Sequence, residues 1–301
     1  MIPEDGLPSQ FFLNHGISSV YLLSIDLEDI RAQSPEGSRF PSRVARLTDR
    51  FLEFFEKHGI RVTFFIVGQA AAENPGLVRR ISAAGHEIAC HSLDHKSLDQ
   101  TAPEDFKNDL KRNKEILFDL GCPEVIGFRA PDFSLTEKTK WAWDVLAELG
   151  FRYSSSVLPA KNPRHGWKGY PRTPVFIRQK IWSFPISITP TPGWQIPFTG
   201  GVYLRVLPKS AIMRFSRWYK RRSFPVVGYL HPYDIDPDQE KFKIESNRFY
   251  NGLVYYNRNS VFKKITCLID HFPVLTFSEY LKRIEAAGCR NGERHAGFSI
   301  A

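Results

Sequence analysis

Short apolar runs alternate with amphipathic stretches along most of this chain. Val20-Tyr21-Leu22-Leu23-Ser24-Ile25-Asp26 is apolar and ends in acids, the pattern of a buried strand with polar groups at its carboxyl end. Over residues 43–58, Val44, Leu47, Phe51, Phe54 and Phe55 recur at helical spacing, and Gly59 caps the stretch. Residues 61–67 form the next apolar run. Residues 74–84 read as a helix, with Pro75 in its first turn and Gly85 just past its end. Glu87-Ile88-Ala89-Cys90 is a third strand that runs into His91. A helix over 103–120 stops at Gly121, a strand covers 125–128, and a helix over 136–149 closes at Gly150. Strand, helix and glycine repeated in this way predict parallel βα units. Such short runs suit strands covered on both faces, so a β/α barrel and a doubly wound sheet both fit.

From 162 to 201 the pattern loosens. Pro163, Pro171, Pro174, Pro185, Pro190, Pro192 and Pro197 predict irregular loops, with an antiparallel hairpin around 181–188. Regularity returns with a helix over 208–219, a strand over 225–230, a helix over 261–271 and a last strand over 274–277. The tail after Arg290 is polar and reads as a frayed end. With no internal repeat and no low-complexity linker, residues 1–301 read as one domain, its core at about 18–280 and its polar tail at 290–301.

Composition narrows the class. Hydrophobic residues make up 42% and charged residues 24%, the balance of a globular protein that folds in water. Aromatic residues reach 14%, which reads first as a Phe-rich core and second as groove walls for the C–H faces of sugars. The net charge of +9 has one dense cluster, Lys220-Arg221-Arg222, after the amphipathic 208–219 stretch. It reads as a helix end whose cations complement the dipole, with contact to an anionic or lipid-linked substrate as the alternative. The charge is not gathered into a nucleic-acid motif, so no nucleic-acid partner is expected. Cys90, Cys122, Cys267 and Cys289 are scattered without a CxxC pair, which suits reduced thiols. No basic-then-apolar leader and no apolar run of about 20 residues is present, so a cytoplasmic protein without a transmembrane segment is expected.

Polar residues collect at four strand ends: Ser24-Ile25-Asp26-Leu27-Glu28-Asp29, His91-Ser92-Leu93-Asp94-His95, Phe128-Arg129-Ala130-Pro131-Asp132 and Leu230-His231-Pro232-Tyr233-Asp234. In parallel α/β folds these ends share one rim, where ligands bind. His91 and His95, four apart on a helical turn, would face one ion. Two imidazoles and a carboxylate leave a position open for water, the layout of a catalytic metal site. Strand alternation puts Asp26 and Glu28 on one face, one as ligand and the other as base; if the chain turns after Leu27, Asp29 replaces Glu28.

Together these motifs resemble the polysaccharide deacetylases with a NodB-type domain, carbohydrate esterase family four. The acidic motif is Asp26-Leu27-Glu28, and His91 to His95 is the His-Ser/Thr-x-x-His motif. Arg129-Ala130-Pro131 is the Arg-x-Pro motif, and Tyr229-Leu230-His231 the Leu-x-His variant. Tyr153-Ser154-Ser155-Ser156 stands where an Asp-Ser pair is common. His231-Pro232-Tyr233-Asp234-Ile235-Asp236-Pro237 and Gly200-Gly201-Val202-Tyr203-Leu204-Arg205 are similar to the branch associated with bacterial exopolysaccharide and surface-glycan synthesis.

The resemblance implies a distorted seven-stranded (β/α) barrel with an irregular Pro-rich insertion and a C-terminal extension. It implies metal-dependent hydrolysis of an N-acetyl amide on a bacterial glycan or sugar precursor. Glu28, His91 and His95 would hold a divalent metal, with Asp29 in reserve. Zinc is expected first, and cobalt, nickel or iron suit similar ligands. Metal-activated water would be the nucleophile, Asp26 the base and His231 the acid. Arg129 would orient Asp26, and the N–H of Asp132 would face the oxyanion. Pro131, Phe133, Tyr233 and Asp234 would contact an acylated sugar or polysaccharide, and Asp234 would also tune His231. Two departures stand out: Glu28 replaces the usual Asp, and Asp132 replaces the usual Tyr. Two other readings remain open, a hydrolase of small amides, formamides or cyclic ureides, and a catalytically silent glycan-binding relative.

Overall fold

The computed structural model describes residues 6–162, 164–178, 180–244 and 248–290. Its strands are β1 (Tyr21–Leu27), β2 (Thr63–Ile66), β3 (Glu87–Cys90), β4 (Gly127–Phe128), β5 (Tyr153–Ser154), β6 (Val175–Ile177), β7 (Ile181–Ser183) and β8 (Val226–Leu230). The helices are α1 (Ser9–Asn14), α2 (Val44–Lys57), α3 (Gly68–Glu73), α4 (Pro75–Ala83), α5 (Pro103–Asp119), α6 (Ala142–Glu148), α7 (Gly201–Val206), α8 (Lys209–Lys220), α9 (Arg248–Tyr255), α10 (Val261–Ile269) and α11 (Phe277–Arg290). One curled sheet runs in the order β6-β7-β5-β4-β3-β2-β1-β8, parallel throughout except for the β6–β7 hairpin. It is the distorted (β/α) barrel expected of the sequence, with eight strands rather than seven because that hairpin adds an edge. None of the described helices is long and apolar enough to cross a membrane.

Alternation along each strand sorts the core into two layers. Tyr21, Leu23, Ile25, Phe64, Ile66, Ile88, Cys90 and Phe128 face outward, under helices that include α2, α4 and α5. Leu22, Phe65, Ala89, Tyr153, Trp182, Phe184 and Val227 face inward and meet Phe277 and Tyr280 of α11. Tyr153 fills the barrel because β4 offers no side chain opposite it: a Cβ on Gly127 would lie 2.1 Å from the Tyr153 ring. Its ring stacks on Phe277 at 5.4 Å, and its hydroxyl donates to Glu87 at 2.8 Å. Glu87 also accepts from Thr63 Oγ1 at 2.6 Å and from the Ser278 N–H at 3.1 Å. Burial pushes its pKa up against those donors. This cluster forms the barrel floor, at the amino ends of the strands.

No regular ladder joins β7 to β8. Residues 184–200 cross that gap with sparse bonds. The Ser187 N–H donates to Val227 O at 3.2 Å, and Ser187 Oγ accepts from the Val227 N–H at 2.8 Å. Thr199 Oγ1 donates to Val227 O at 3.0 Å, and Gly200 bridges Tyr229. The Pro-rich segment is therefore the seam of the barrel.

Three sequence expectations need correction. The hairpin lies at Val175–Ile177 and Ile181–Ser183, not around 181–188, because residues from 184 onward turn into the seam. The helix read over 136–149 is regular only at Ala142–Glu148, since Thr139 Oγ1 bonds locally and holds the preceding residues in turns. The strand expected over 274–277 is a single bridge, Tyr21 to Val274. Phe277 instead opens α11, whose Tyr280, Leu281, Ile284 and Ala287 recur at helical spacing. The polar tail after Arg290 lies outside the described residues.

Gly127→Ala should destabilise the protein by about 2–3 kcal/mol through overpacking against Tyr153. A lower urea midpoint at unchanged slope is the expected readout, and a midpoint equal to the parent's would refute the plug.

Candidate active site

The rim residues inherit the inward parity of their strands. Asp26 follows Leu22 and Ser24 on the inner face of β1; His91 follows Ala89, Arg129 follows Gly127, and His231 follows Val227 and Tyr229. The parallel strands bring all of these carboxyl ends to one cleft, which also includes Glu28, His95, Asp132 and Phe133 in its walls.

Arg129 stands at the centre of the barrel, fully buried. Its Nη1 donates to Asp26 Oδ1 at 2.5 Å and to Ser24 Oγ at 2.7 Å. Nε donates to Ser155 O, and Nη2 to Ser155 Oγ, both at 2.9 Å. The guanidinium lies 4.1 Å from the Phe65 ring centroid, so the apolar layer supports it from below. Ser156 Oγ accepts the Ala130 N–H at 2.8 Å and fixes the chain next to it. These serines do the positioning that the Arg-x-Pro strand end needs. Their run was visible in the sequence, but their partner was not.

His91 and His95 do not share a helical turn, contrary to the expectation from their spacing. Residues 91–97 form an irregular loop in which Ser92 and His95 have φ of 64° and 58°. Ser92 Oγ accepts the His95 N–H at 3.0 Å. The Asp109 carboxylate of α5 accepts the Leu93 N–H at 3.0 Å. Asn113 Nδ2, also from α5, donates to Ile66 O at 3.1 Å and to Ser92 O. Gly68 permits this packing, since a Cβ there would come 2.8 Å from Leu93. The loop turns both imidazoles toward β1, ring centroids 5.0 Å apart.

Ligand atoms of Glu28, His91 and His95 lie within 4.8 Å of one another. His91 Nδ1 is 2.8 Å from Arg129 O, a contact it makes as donor, which leaves Nε2 free as an acceptor toward the cleft. Burial lowers the His91 pKa to about 4, so its imidazole is neutral, the form that binds metal. Glu28 Oε2 is 2.6 Å from His95 Nε2, and Oε1 accepts from Tyr233 Oη at 3.0 Å and Gln33 Nε2 at 3.1 Å. Burial would raise the Glu28 carboxyl, but His95, His231 and His91 outweigh it and hold the group well below the usual carboxylate range. Burial opposes the charge on His95 as well, and Glu28 overrides it, raising that pKa to about 9. A buried anion facing two imidazoles, one neutral with its free nitrogen in the cleft, suits a divalent cation.

His231 Nδ1 is 2.9 Å from Asp234 Oδ2, which also accepts the His231 N–H at 2.9 Å. Asp234 Oδ1 lies 3.0 Å from Arg205 Nε. Arg205 Nη1 in turn donates to Leu253 O, Val254 O and Tyr256 O at 3.2, 2.7 and 2.9 Å. Burial opposes both charges, yet Arg205 and His231 lower Asp234 to about 2, and Asp234 raises His231. The other nitrogen, His231 Nε2, faces the cleft 3.6 Å from Glu28 Oε1.

The remaining expected residues divide. Asp29 turns away: it caps the 3-10 turn Ile30–Gln33 and accepts from the Arg31 N–H, Arg31 Nε and Ser42 Oγ. Asp132 is exposed at φ 54° on the cleft wall, with its carboxylate accepting from Ser97 Oγ at 3.1 Å. Phe133 and Tyr233 line the cleft. Pro131 is buried in its turn and is not part of the cleft wall. Asp234, expected both to contact substrate and to tune His231, is fully buried and spends its carboxylate on His231 and Arg205. Sequence reasoning did not assign roles to Gln33 or Arg205. Neither has a local signal, because each meets its partner only through the tertiary fold.

Residues 37–154 match the family described as polysaccharide deacetylase, and residues 155–282 match a domain of unknown function, DUF3473. The peptidoglycan-N-acetylglucosamine deacetylase of Listeria monocytogenes is 32% identical over 73 residues, 24% of this chain and 16% of that protein. The chitooligosaccharide deacetylase of Sinorhizobium fredii is 36% identical over 120 residues, 39% of this chain and 52% of that protein. The matched stretches thus span about half or less of these relatives. A solved structure described as a polysaccharide deacetylase from Mycobacterium smegmatis superimposes with a TM-score of 0.57 at 19% identity, covering 89% of this chain and 92% of that one.

Arg129→Met should cost about 3–5 kcal/mol, because it strands the Asp26 carboxylate in the barrel. Adding Asp26→Asn should recover part of that loss, which a double-mutant cycle by urea unfolding would measure. Strictly additive costs would show that the pair is not coupled.

Proposed function

We propose that this chain, whose residues 37–154 match the polysaccharide deacetylase family, acts as the NodB-type, carbohydrate esterase family four enzymes do and hydrolyses an N-acetyl amide on a bacterial surface glycan or its sugar precursor. The observation that carries this reading is the convergence on one cleft of three groups. These are the Asp26–Arg129 pair, the cluster of Glu28, His91 and His95, and His231 with its free Nε2.

Glu28, His91 and His95 would hold a divalent metal, with zinc as the first choice for two imidazoles and a carboxylate. Such an ion supplies Lewis acidity, polarising a carbonyl oxygen and acidifying water. Tyr233 and Gln33 fix the Glu28 carboxylate. Asp26, held in one orientation by Arg129 and Ser24, takes a proton from the attacking water. Water oxygen bonds to the acyl carbon, the C–N bond breaks, and the amine leaves with the proton of His231 Nε2. The N–H of Asp132, on its 3-10 turn, faces the developing oxyanion. Asp234 favours the protonated imidazole, so His231 stays an acid to higher pH than a free histidine.

On an N-acetylated oligosaccharide, Asp26→Asn and His231→Ala should each lower kcat by about 10²–10⁴-fold. Near-normal turnover in both would sink these roles. Because the Asp234 carboxylate raises the His231 pKa, activity should fall as pH rises through that value. Asp234→Asn should therefore move the alkaline limb of the pH–rate profile downward, and an unmoved limb would count against His231 as the acid. In calorimetric titration with zinc, Glu28→Gln should weaken binding about tenfold or more, while Asp29→Asn should leave it near the parent's. The reverse pattern would reassign the carboxylate ligand.

A further inference from the structure

The charge of this chain is segregated. From Leu149 to Tyr233 there are 14 Lys and Arg residues and no Asp or Glu; the rest holds 27 against 32. Within that acid-free segment, the most concentrated cations are on α8 and just after it: Lys209, Arg214, Arg217, Lys220, Arg221 and Arg222. Ile212, Met213, Ser216 and Tyr219 bury the opposite face of the helix against the protein. We propose that the exposed face of α8 docks on the surface of an anionic lipid bilayer.

Arg214, Arg217 and Arg221 are exposed and follow one stripe at spacings of three and four, about 10 Å long. Among the described residues, no carboxylate pairs with any of the three. Two neighbouring cations are already engaged: Lys220 Nζ donates to His271 O, and Arg222 stacks on Trp218. α10, packed on α8, brings the exposed Lys263 and is followed by Asp270, while its Lys264 is buried on the carbonyls of Leu204, Arg205 and Leu207. Complementing the helix dipole accounts for cations in the last turn only. It leaves Lys209 in the first turn and Arg214 in the middle unexplained, and like charges so spaced repel. An anionic partner removes that repulsion.

The shape favours a bilayer over a polyanionic chain. A helix ridge is convex, so a flat charged surface meets the whole stripe at once, whereas a polymer is gripped in a groove. Trp194 stands beside the ridge, 47% exposed, its ring 6.5 Å from Phe215 of α8. Val206, at the end of α7 and three residues before Lys209, is exposed as well. Tryptophan next to cations is the composition that settles at a lipid headgroup layer.

Co-sedimentation of the full chain with vesicles tests this. The chain should pellet with phosphatidylcholine vesicles containing about a third phosphatidylglycerol, less so as salt rises, and stay in solution with phosphatidylcholine alone. Arg214→Gln, Arg217→Gln and Arg221→Gln combined should weaken partitioning about a hundredfold, at about 1 kcal/mol for each basic residue near an anionic surface. The three Arg→Lys replacements should keep it, and an unchanged thermal unfolding curve for the Gln variant would show that its fold is intact. Equal pelleting with neutral and anionic vesicles, or a Gln variant that pellets like the parent, would overturn the proposal. So would retention on polygalacturonate without vesicle binding, which assigns the ridge to an acidic glycan.

Discussion

A guanidinium in the middle of a barrel tolerates few arrangements. Arg129 is sealed from solvent, and each of its three nitrogens donates to a fixed acceptor. Removing any of these acceptors leaves a charge or a donor in a medium that cannot solvate it. The pair with Asp26 therefore acts as a clamp on the rim. It ties β1 to β4 across the barrel, and through Ser155 it ties β4 to the chain after β5. The Arg129 carbonyl also accepts from His91, so the same residue that fixes the carboxylate fixes one imidazole. The positions of the carboxylate and of the imidazole are consequently not independent variables.

The second half of the chain holds the other side of the cleft by a different route. His231, Asp234 and Arg205 form a chain of charges that ends on carbonyls of α9 and the turn after it. Asp234 is local to His231, three residues away on the same 3-10 turn, whereas Arg205 comes from α7. The segment matched as a deacetylase carries Asp26's partner and the two histidines that face Glu28, and the segment matched as DUF3473 carries His231. The sheet runs unbroken through both.

Much of the site could be read in advance because strand parity is a local property. Asp26, His91, Arg129 and His231 each continue the inward alternation of a short apolar run, and the run is visible in the sequence. Parity failed where the backbone left regular geometry. The His91–His95 spacing suggested a helical turn, but left-handed residues at 92 and 95 shape the loop instead, and Ser92 carries no signal for that conformation. Asp29 and Glu28 could not be separated by spacing; a capping bond to the Arg31 N–H turns Asp29 away from the cleft that Glu28 lines. The helix at Phe277–Arg290 carried a clear periodicity that a strand-like opening at 274–277 masked. Gln33 and Arg205 act over distances in sequence that no local pattern spans.

The seam between β7 and β8 gives the barrel an asymmetry. Elsewhere neighbouring strands are held at fixed spacing by ladder bonds, but here two hydroxyls, one main-chain bond and a single bridge do the joining. A ladder transmits any change in girth to every strand; a stitched join confines it. Phe184 and Ile186 are bonded to Ser154 and Val157, beside the serines that hold Arg129 and Ala130, whereas beyond them the joins to β8 are only the stitches at Ser187, Thr199 and Gly200; a change of bulk at Pro197, on the cleft wall, is confined to that side. The wall of the cleft at the seam can thereby change shape while Arg129 keeps every one of its acceptors.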